Sequence, residues 1–169
     1  IPIAHAGPKG TVLFDWKATL HASGSRELCL TLGYNTAVFA ALLRVKGIRN
    51  VFNMDGVEWA RAKWGVVAKT WFYLNDWAGC WLGDHLVADH PEILRHLNSR
   101  VSKRKITMIP YGADLVEAAP TEPVTVLGLV PGEFVTVVAR PEPENSLLEI
   151  VTAFSRRTRG CTLAVLGTY

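Results

Sequence analysis

Two short stretches hold most of the side chains that could meet a ligand. The first is Asn53-Met54-Asp55-Gly56-Val57-Glu58, which follows the apolar run Asn50-Val51-Phe52 and leads into a helical pattern. A strand-to-helix turn bearing a carboxylate and a glycine is where open α/β sheets place ligand chemistry. The same residues also read as a solvated turn in which Asp55 caps the next helix and Gly56 relieves backbone strain. The second stretch is Val138-Ala139-Arg140-Pro141-Glu142-Pro143-Glu144-Asn145-Ser146. An arginine at the end of a strand, just before a helix N-terminus, can clamp a phosphate group bidentately with help from the helix dipole. Its competing reading is a rim arginine paired with Glu142 or Glu144.

The elements that must position these residues alternate along the chain. Strands are expected at Gly10–Asp15, Glu27–Leu32, Asn50–Asn53, His85–Ala88 and Ile106–Ile109. A helix from Asn35 or Thr36 to Lys46 is stopped by Gly47, and a long helix is expected from Glu58 to Leu82. Asp89-His90-Pro91-Glu92 opens another helix with a carboxylate cap and an early proline. Pro110-Tyr111-Gly112 breaks this pattern, and Ala118-Ala119-Pro120-Thr121-Glu122-Pro123 reads as a linker. A second unit then begins with the strand Phe134–Ala139. The capping box Ser146-x-x-Glu149 and the strand Thr162–Leu166 complete one βαβ unit. The expected division is residues 1–114 as most of a first domain, 115–132 as linker and 133–169 as the start of a second. That second piece is too short to bury a core alone, so the chain reads as a fragment.

Composition narrows the class. Nearly half of the 169 residues are apolar, enough for a sizeable core, and the net charge of +3 is far below the basic excess of a dedicated nucleic-acid binder. Cys29, Cys80 and Cys161 are odd in number and far apart, which argues for buried thiols in a reducing compartment. No run of eighteen apolar residues appears, and the first residues resemble neither a signal nor a transit peptide. Gly7-Pro8-Lys9-Gly10-Thr11 has the wrong residue order for a P-loop. His85, His90 and His96, with Asp84 and Asp89, are spaced poorly for a shared metal.

Three segments, in order, resemble glycosyltransferase family 4. Asn53-Met54-Asp55-Gly56 is similar to a turn that usually reads Thr-x-His-Gly. Ile109-Pro110-Tyr111-Gly112-Ala113-Asp114 is similar to Ile-Pro-Asn-Gly-Val-Asp. Val138–Ser146 is similar to Val-Gly-Arg-Leu-x-x-Glu-Lys-Gly. Extended through Glu58-Trp59-x-Arg61-x-Lys63-Trp64, the first resembles a bacterial rhamnosyltransferase-like subgroup. The resemblance spans roughly residues 35 to 169.

It implies a GT-B architecture: a Rossmann-like acceptor-side domain with a parallel sheet, here followed by the first βαβ unit of a Rossmann-like nucleotide-sugar domain. The implied reaction is retaining transfer of a sugar from a nucleotide-sugar donor to a glycan or lipid-linked acceptor in surface polysaccharide synthesis. No cofactor or metal is expected, and the fragment alone is expected to be inactive. Arg140, Asn145 and Ser146 fall at donor-binding positions, with Asn145 and Ser146 replacing the family's Lys and Gly. Asp55 replaces its His, where it would contact the sugar or acceptor, and Gly56 and Glu58 lie on the acceptor side. The implied location is cytoplasmic, extending to the inner face of the plasma membrane. Competing readings are a sugar-nucleotide epimerase of the same fold, or a non-catalytic or degenerate binding module. The sequence leaves the sugar, the acceptor and the oligomeric state open.

The tryptophans complete the reading. Ala60, Trp64, Val67, Trp71, Leu74, Ala78 and Trp81 recur at helical spacing, as a core-facing stripe would. Trp59 and Trp77 lie off that stripe, where peripheral contact with lipid headgroups is the minority alternative.

Overall fold

The computed structural model of the protein describes residues 7–167, and the chain divides into two compact units between Gly112 and Ala113. In the first unit, helix α1 (Gly7–Ala22) is followed by strand β1 (Cys29–Leu32), helix α2 (Ala40–Val45) and strand β2 (Asn50–Met54). Helix α3 (Val66–Leu82), strand β3 (His85–Ala88), helix α4 (Pro91–Asn98) and strand β4 (Ile106–Met108) complete it. The four strands form one parallel sheet in the order β1-β2-β3-β4, with Phe52 opposite Thr31 and Leu86, and Leu86 opposite Ile106. The chain is therefore α/β with a Rossmann-like parallel sheet.

Sequential order has a geometric consequence. Right-handed crossovers that always step in the same direction put every connecting helix on the same face. Phe52, Leu86 and Ile106 accordingly share one buried cluster with Leu43 of α2, Cys80 of α3 and Leu97 of α4. On the opposite face of β1, Leu30 and Leu32 are 62% and 75% exposed.

The inward face of α3 is not the apolar stripe expected from its spacing. Asn75, Asp76, Gly79 and Cys80 are its buried residues, whereas Val67, Trp71, Leu74 and Trp81 face solvent. Close approach explains the inversion. A β-carbon on Gly79 would meet Met54 Sδ at 3.3 Å and the Ala37 side chain at 3.5 Å, so small residues let α3 settle onto the sheet. Asn75 is buried because its side chain accepts a bond from the Val38 amide at 3.0 Å and donates to the Trp71 carbonyl at 3.0 Å.

Other expectations also change. Gly10–Asp15 lies within α1 rather than in a strand, because its few apolar residues fit either period and packing decides. Trp16 meets Phe39 edge-on, and the Thr36 hydroxyl donates to Asp15 at 2.8 Å, tying α1 to the α2 region. That hydroxyl is thereby diverted from capping, and a 3-10 turn, Ala37–Phe39, precedes α2. The helix expected from Glu58 is a 3-10 turn, Glu58–Ala60, and α3 begins only after Gly65. At α4 the cap is the His90 imidazole, which accepts from the Glu92 amide at 3.2 Å, rather than a carboxylate.

The second unit contains the one-turn helix α5 (Glu122–Thr125), strand β5 (Phe134–Val138), helix α6 (Leu147–Ser155) and strand β6 (Thr162–Leu166). β5 and β6 pair in parallel. Before α6, Ser146 adopts a left-handed conformation (φ 50°) and makes no side-chain cap, so the expected capping box does not form. Left-handed backbone is costly for a side-chain-bearing residue, so Ser146 sits in a conformation that glycine would adopt more readily.

Gly83 offers a direct test of core packing. A β-carbon there would lie 2.8 Å from the buried Phe52 ring and 3.0 Å from the Gly79 carbonyl. Gly83→Ala should therefore destabilise the first unit by about 1–3 kcal/mol, measured from the urea midpoint. An unchanged midpoint would show that the α3–β3 corner is loosely packed.

Candidate functional site

The first unit brings two carboxylates, Asp55 and Asp89, to the carboxyl ends of its strands. Gly33 follows β1, Asp55 follows β2, Asp89 follows β3 and Ile109 follows β4. Gly33 has φ +82° and donates its amide to the Asn53 carbonyl at 3.0 Å. A β-carbon on Gly33 would stand 3.7 and 3.9 Å from the two Asp55 carboxylate oxygens. The bare backbone thus leaves one flank of that carboxylate open. A cleft of ≈ 570 Å³ runs between α1 and β1 and reaches Gly33, Asn35 and Thr36 beside this point.

Asp55 caps no helix. The 3-10 turn after it is preceded by Val57 and α3 by Gly65, which removes the capping reading. Asp55 keeps contact with solvent, but packing strips part of its carboxylate's hydration, and the charges of Asp89 and Glu58 add to the effect. Its pKa is raised above the usual 3.8. Beside it, the Asn53 side-chain amide donates to the Tyr111 hydroxyl at 3.4 Å, while Asn53 Oδ1 is buried without a hydrogen-bond partner.

Glu58 is held from three sides. Its carboxylate accepts from Arg61 at 2.9 Å and from Trp64 Nε1 at 3.0 Å. Its amide donates to the Tyr34 hydroxyl at 2.7 Å. Burial pushes the Tyr34 phenol well above its usual range, so it remains a neutral hydroxyl. These bonds fold residues 58–64 into a knot and interrupt the expected helix. Glu58 thereby shapes the loop that follows Asp55 and Gly56.

A buried carboxylate that the sequence reading missed lies beneath this knot. Asp76, 1% exposed, accepts from Trp59 Nε1 at 2.7 Å, His96 Nε2 at 2.9 Å and Arg100 at 3.0 Å. The Arg100 side chain is 5% exposed and stacks over Trp77 at 4.3 Å and Tyr73 at 5.3 Å. Trp59 is thus engaged by a carboxylate rather than free for lipid. The signal for this network was one acid within the near-apolar run Trp71–Leu82. The histidines take separate tasks: His85 bonds Thr107 at 2.8 Å, His90 caps α4 and His96 binds Asp76. Among the described residues no group of acids, histidines and cysteines could hold a metal ion. Burial pushes the Cys80 thiol up to about 11, which makes it a packing group.

In the second unit Arg140, Asn145 and Ser146 share the loop between β5 and α6. Asn145 donates to the Arg140 carbonyl at 2.8 Å, closing that loop. The Arg140 guanidinium is largely exposed and lies 3.6 Å from Glu142. Both the loop position and the acidic neighbour foreseen for Arg140 are therefore present.

An α/β protein with a parallel sheet, with a carboxylate following each of the strands β2 and β3, is the class that this geometry defines. Within that class the chain belongs to the family described as a domain of unknown function (DUF1972), whose match covers residues 27–114, just over half of the chain. That match takes in β1 to β4 together with Gly33, Asp55, Glu58, Asp76 and Asp89. No curated protein matches the sequence.

Two substitutions test this arrangement. Asp76→Ala should cost about 3–5 kcal/mol in chemical denaturation, because it leaves the Arg100 guanidinium buried without its counter-charge. A loss below about 1 kcal/mol would show that water replaces the carboxylate at no cost. For Asp55 the sign follows from its raised pKa: folding is favoured while the group is protonated, and that advantage disappears as pH rises through the folded value. Asp55→Asn should therefore be more stable than wild type at pH 7, with the difference vanishing below pH 3.8. Equal stabilities across the whole range would place the Asp55 carboxylate in ordinary solvent.

Proposed function

We propose that this chain carries the acceptor side and the opening of the donor side of a GT-B glycosyltransferase. In this reading the enzyme moves a sugar from a nucleotide-sugar donor to a glycan or lipid-linked acceptor without a metal. The observation that carries it is the Asp55 carboxylate: accessible, free of any capping duty, and set beside the side-chain-free Gly33 at the carboxyl ends of the strands. Two further facts support it. The DUF1972 domain is associated with glycosyltransferase-like proteins, and the Arg140 guanidinium is exposed where β5 ends.

In this reading the acceptor hydroxyl oxygen bonds to the anomeric carbon as the bond from that carbon to the diphosphate oxygen breaks. The hydroxyl proton leaves with the departing diphosphate or to solvent. Asp55 accepts a hydrogen bond from a sugar or acceptor hydroxyl, and its elevated proton affinity strengthens that bond. Arg140 meets the negative charge growing on the diphosphate. Asn145 and Ser146 form the loop that presents it, in place of the lysine and glycine of similar sequences.

The full-length protein supplies the test. Asp55→Asn should lower sugar transfer by at least about tenfold, equal to 1.4 kcal/mol of barrier, while the protein stays folded. Arg140→Ala should weaken nucleoside-diphosphate binding by about 1.5–3 kcal/mol in calorimetry. Wild-type turnover in the first variant removes Asp55 from the site, and unchanged affinity in the second removes the phosphate role. Nucleotide-sugar consumption that yields only an epimer would favour the epimerase reading.

A further inference from the structure

The outward face of α3 bears an apolar surface that its own unit does not use. Val67, Leu74 and Trp81 line up along it, with Leu74 59% and Trp81 62% exposed, while Trp71 beside them donates to the Asn35 carbonyl and Ala78 packs against the core. The Trp77 and Trp81 rings pack 5.2 Å apart, and with Leu74 and Ala78 they border a shallow groove of ≈ 350 Å³. A helix of this length presents the stripe over ~25 Å. Large side chains at this density on a free surface mark a contact site.

The charges around the stripe identify the partner. At the C-terminal end of α3, Lys105 donates to the Cys80 and Trp81 carbonyls at 2.7 and 3.4 Å, and Arg44 donates to the Leu82 carbonyl at 3.3 Å. These two cations lie close enough that Arg44 helps to lower the Lys105 pKa. Lys103 and Arg104 project from the same turn as Lys105 and are exposed. Asp84, 3.9 Å from Arg44, offsets one of these charges. Indole rings near the exposed cations Lys103 and Arg104 suit the boundary between acyl chains and anionic headgroups, where tryptophan is favoured and basic residues add attraction. No helix among the described residues is long and apolar enough to cross a membrane.

We propose that α3 docks the protein flat onto an anionic lipid surface. Leu74 and Trp81 enter the headgroup boundary, and Lys103 and Arg104 meet the lipid phosphates. This proposal goes beyond the reading of the strand-end site and does not depend on it.

Co-sedimentation of the 169-residue chain with vesicles tests it, using phosphatidylcholine alone or with 30% phosphatidylglycerol. Binding to the anionic vesicles should exceed binding to neutral ones by at least about tenfold and should weaken with salt. The pair Leu74→Ser and Trp81→Ser, and separately the pair Lys103→Glu and Arg104→Glu, should each lower anionic binding by at least about tenfold with unchanged circular dichroism. If the serine pair perturbs the fold, Leu74→Gln alone with the charge-reversed pair decides. Equal binding of wild type to both vesicle types, or wild-type binding by the charge-reversed pair, overturns the proposal. So does a lipid-free dimer of the wild-type chain that the serine pair converts to monomer, because the face would then be covered by a second copy.

Discussion

Asp76 is the interaction on which the first unit turns. A carboxylate sealed from water is tolerable only when donors surround it, and here the donors come from three places: Trp59 before α3, His96 in α4 and Arg100 beyond α4. The charge therefore dictates where those segments sit. Fixing Trp59 fixes the 3-10 turn that begins at Glu58, and the Glu58 amide in turn engages Tyr34 at the end of β1. Through this chain of bonds the loop bearing Asp55 and Gly56 hangs from a carboxylate that no ligand can reach.

The same helix shows how polar burial and an exposed apolar face share one element. Inward, α3 presents small or hydrogen-bonded residues that let it approach the sheet closely; outward, it presents its largest apolar side chains. Periodicity reports that a helix has two faces. It does not report which face is wet. That choice was made by Gly79 fitting against Met54 and by the partners of Asn75 and Asp76, none of which are neighbours in sequence.

This marks what was legible in the sequence. The strands at Asn50–Met54 and His85–Ala88 stood out because parallel strands covered by helices need runs of large apolar residues. The turn at Asp55 stood out as an acid and a glycine at a strand end, but helix capping explained those residues equally well until α3 was found to begin only after Gly65. Gly10–Asp15 was misread because six residues cannot separate a period of 2 from one of 3.6, and the deciding contacts, Trp16 with Phe39 and Asp15 with Thr36, are made more than twenty residues away. Asp76 was legible only as an oddity, since its meaning lies in Trp59, His96 and Arg100. The Ser146 conformation was hidden for a related reason, because a capping-box pattern says nothing about the sign of φ.

The order of the strands also bears on how the sheet comes into being. Each strand from β2 to β4 pairs with the one made just before it, across a connection of 17 to 30 residues, so no pairing waits for a distant part of the chain. Closing such loops costs little more for one than for the next. The sheet can thus grow in the direction of synthesis, each βα unit adding to an edge that already exists as it leaves the ribosome.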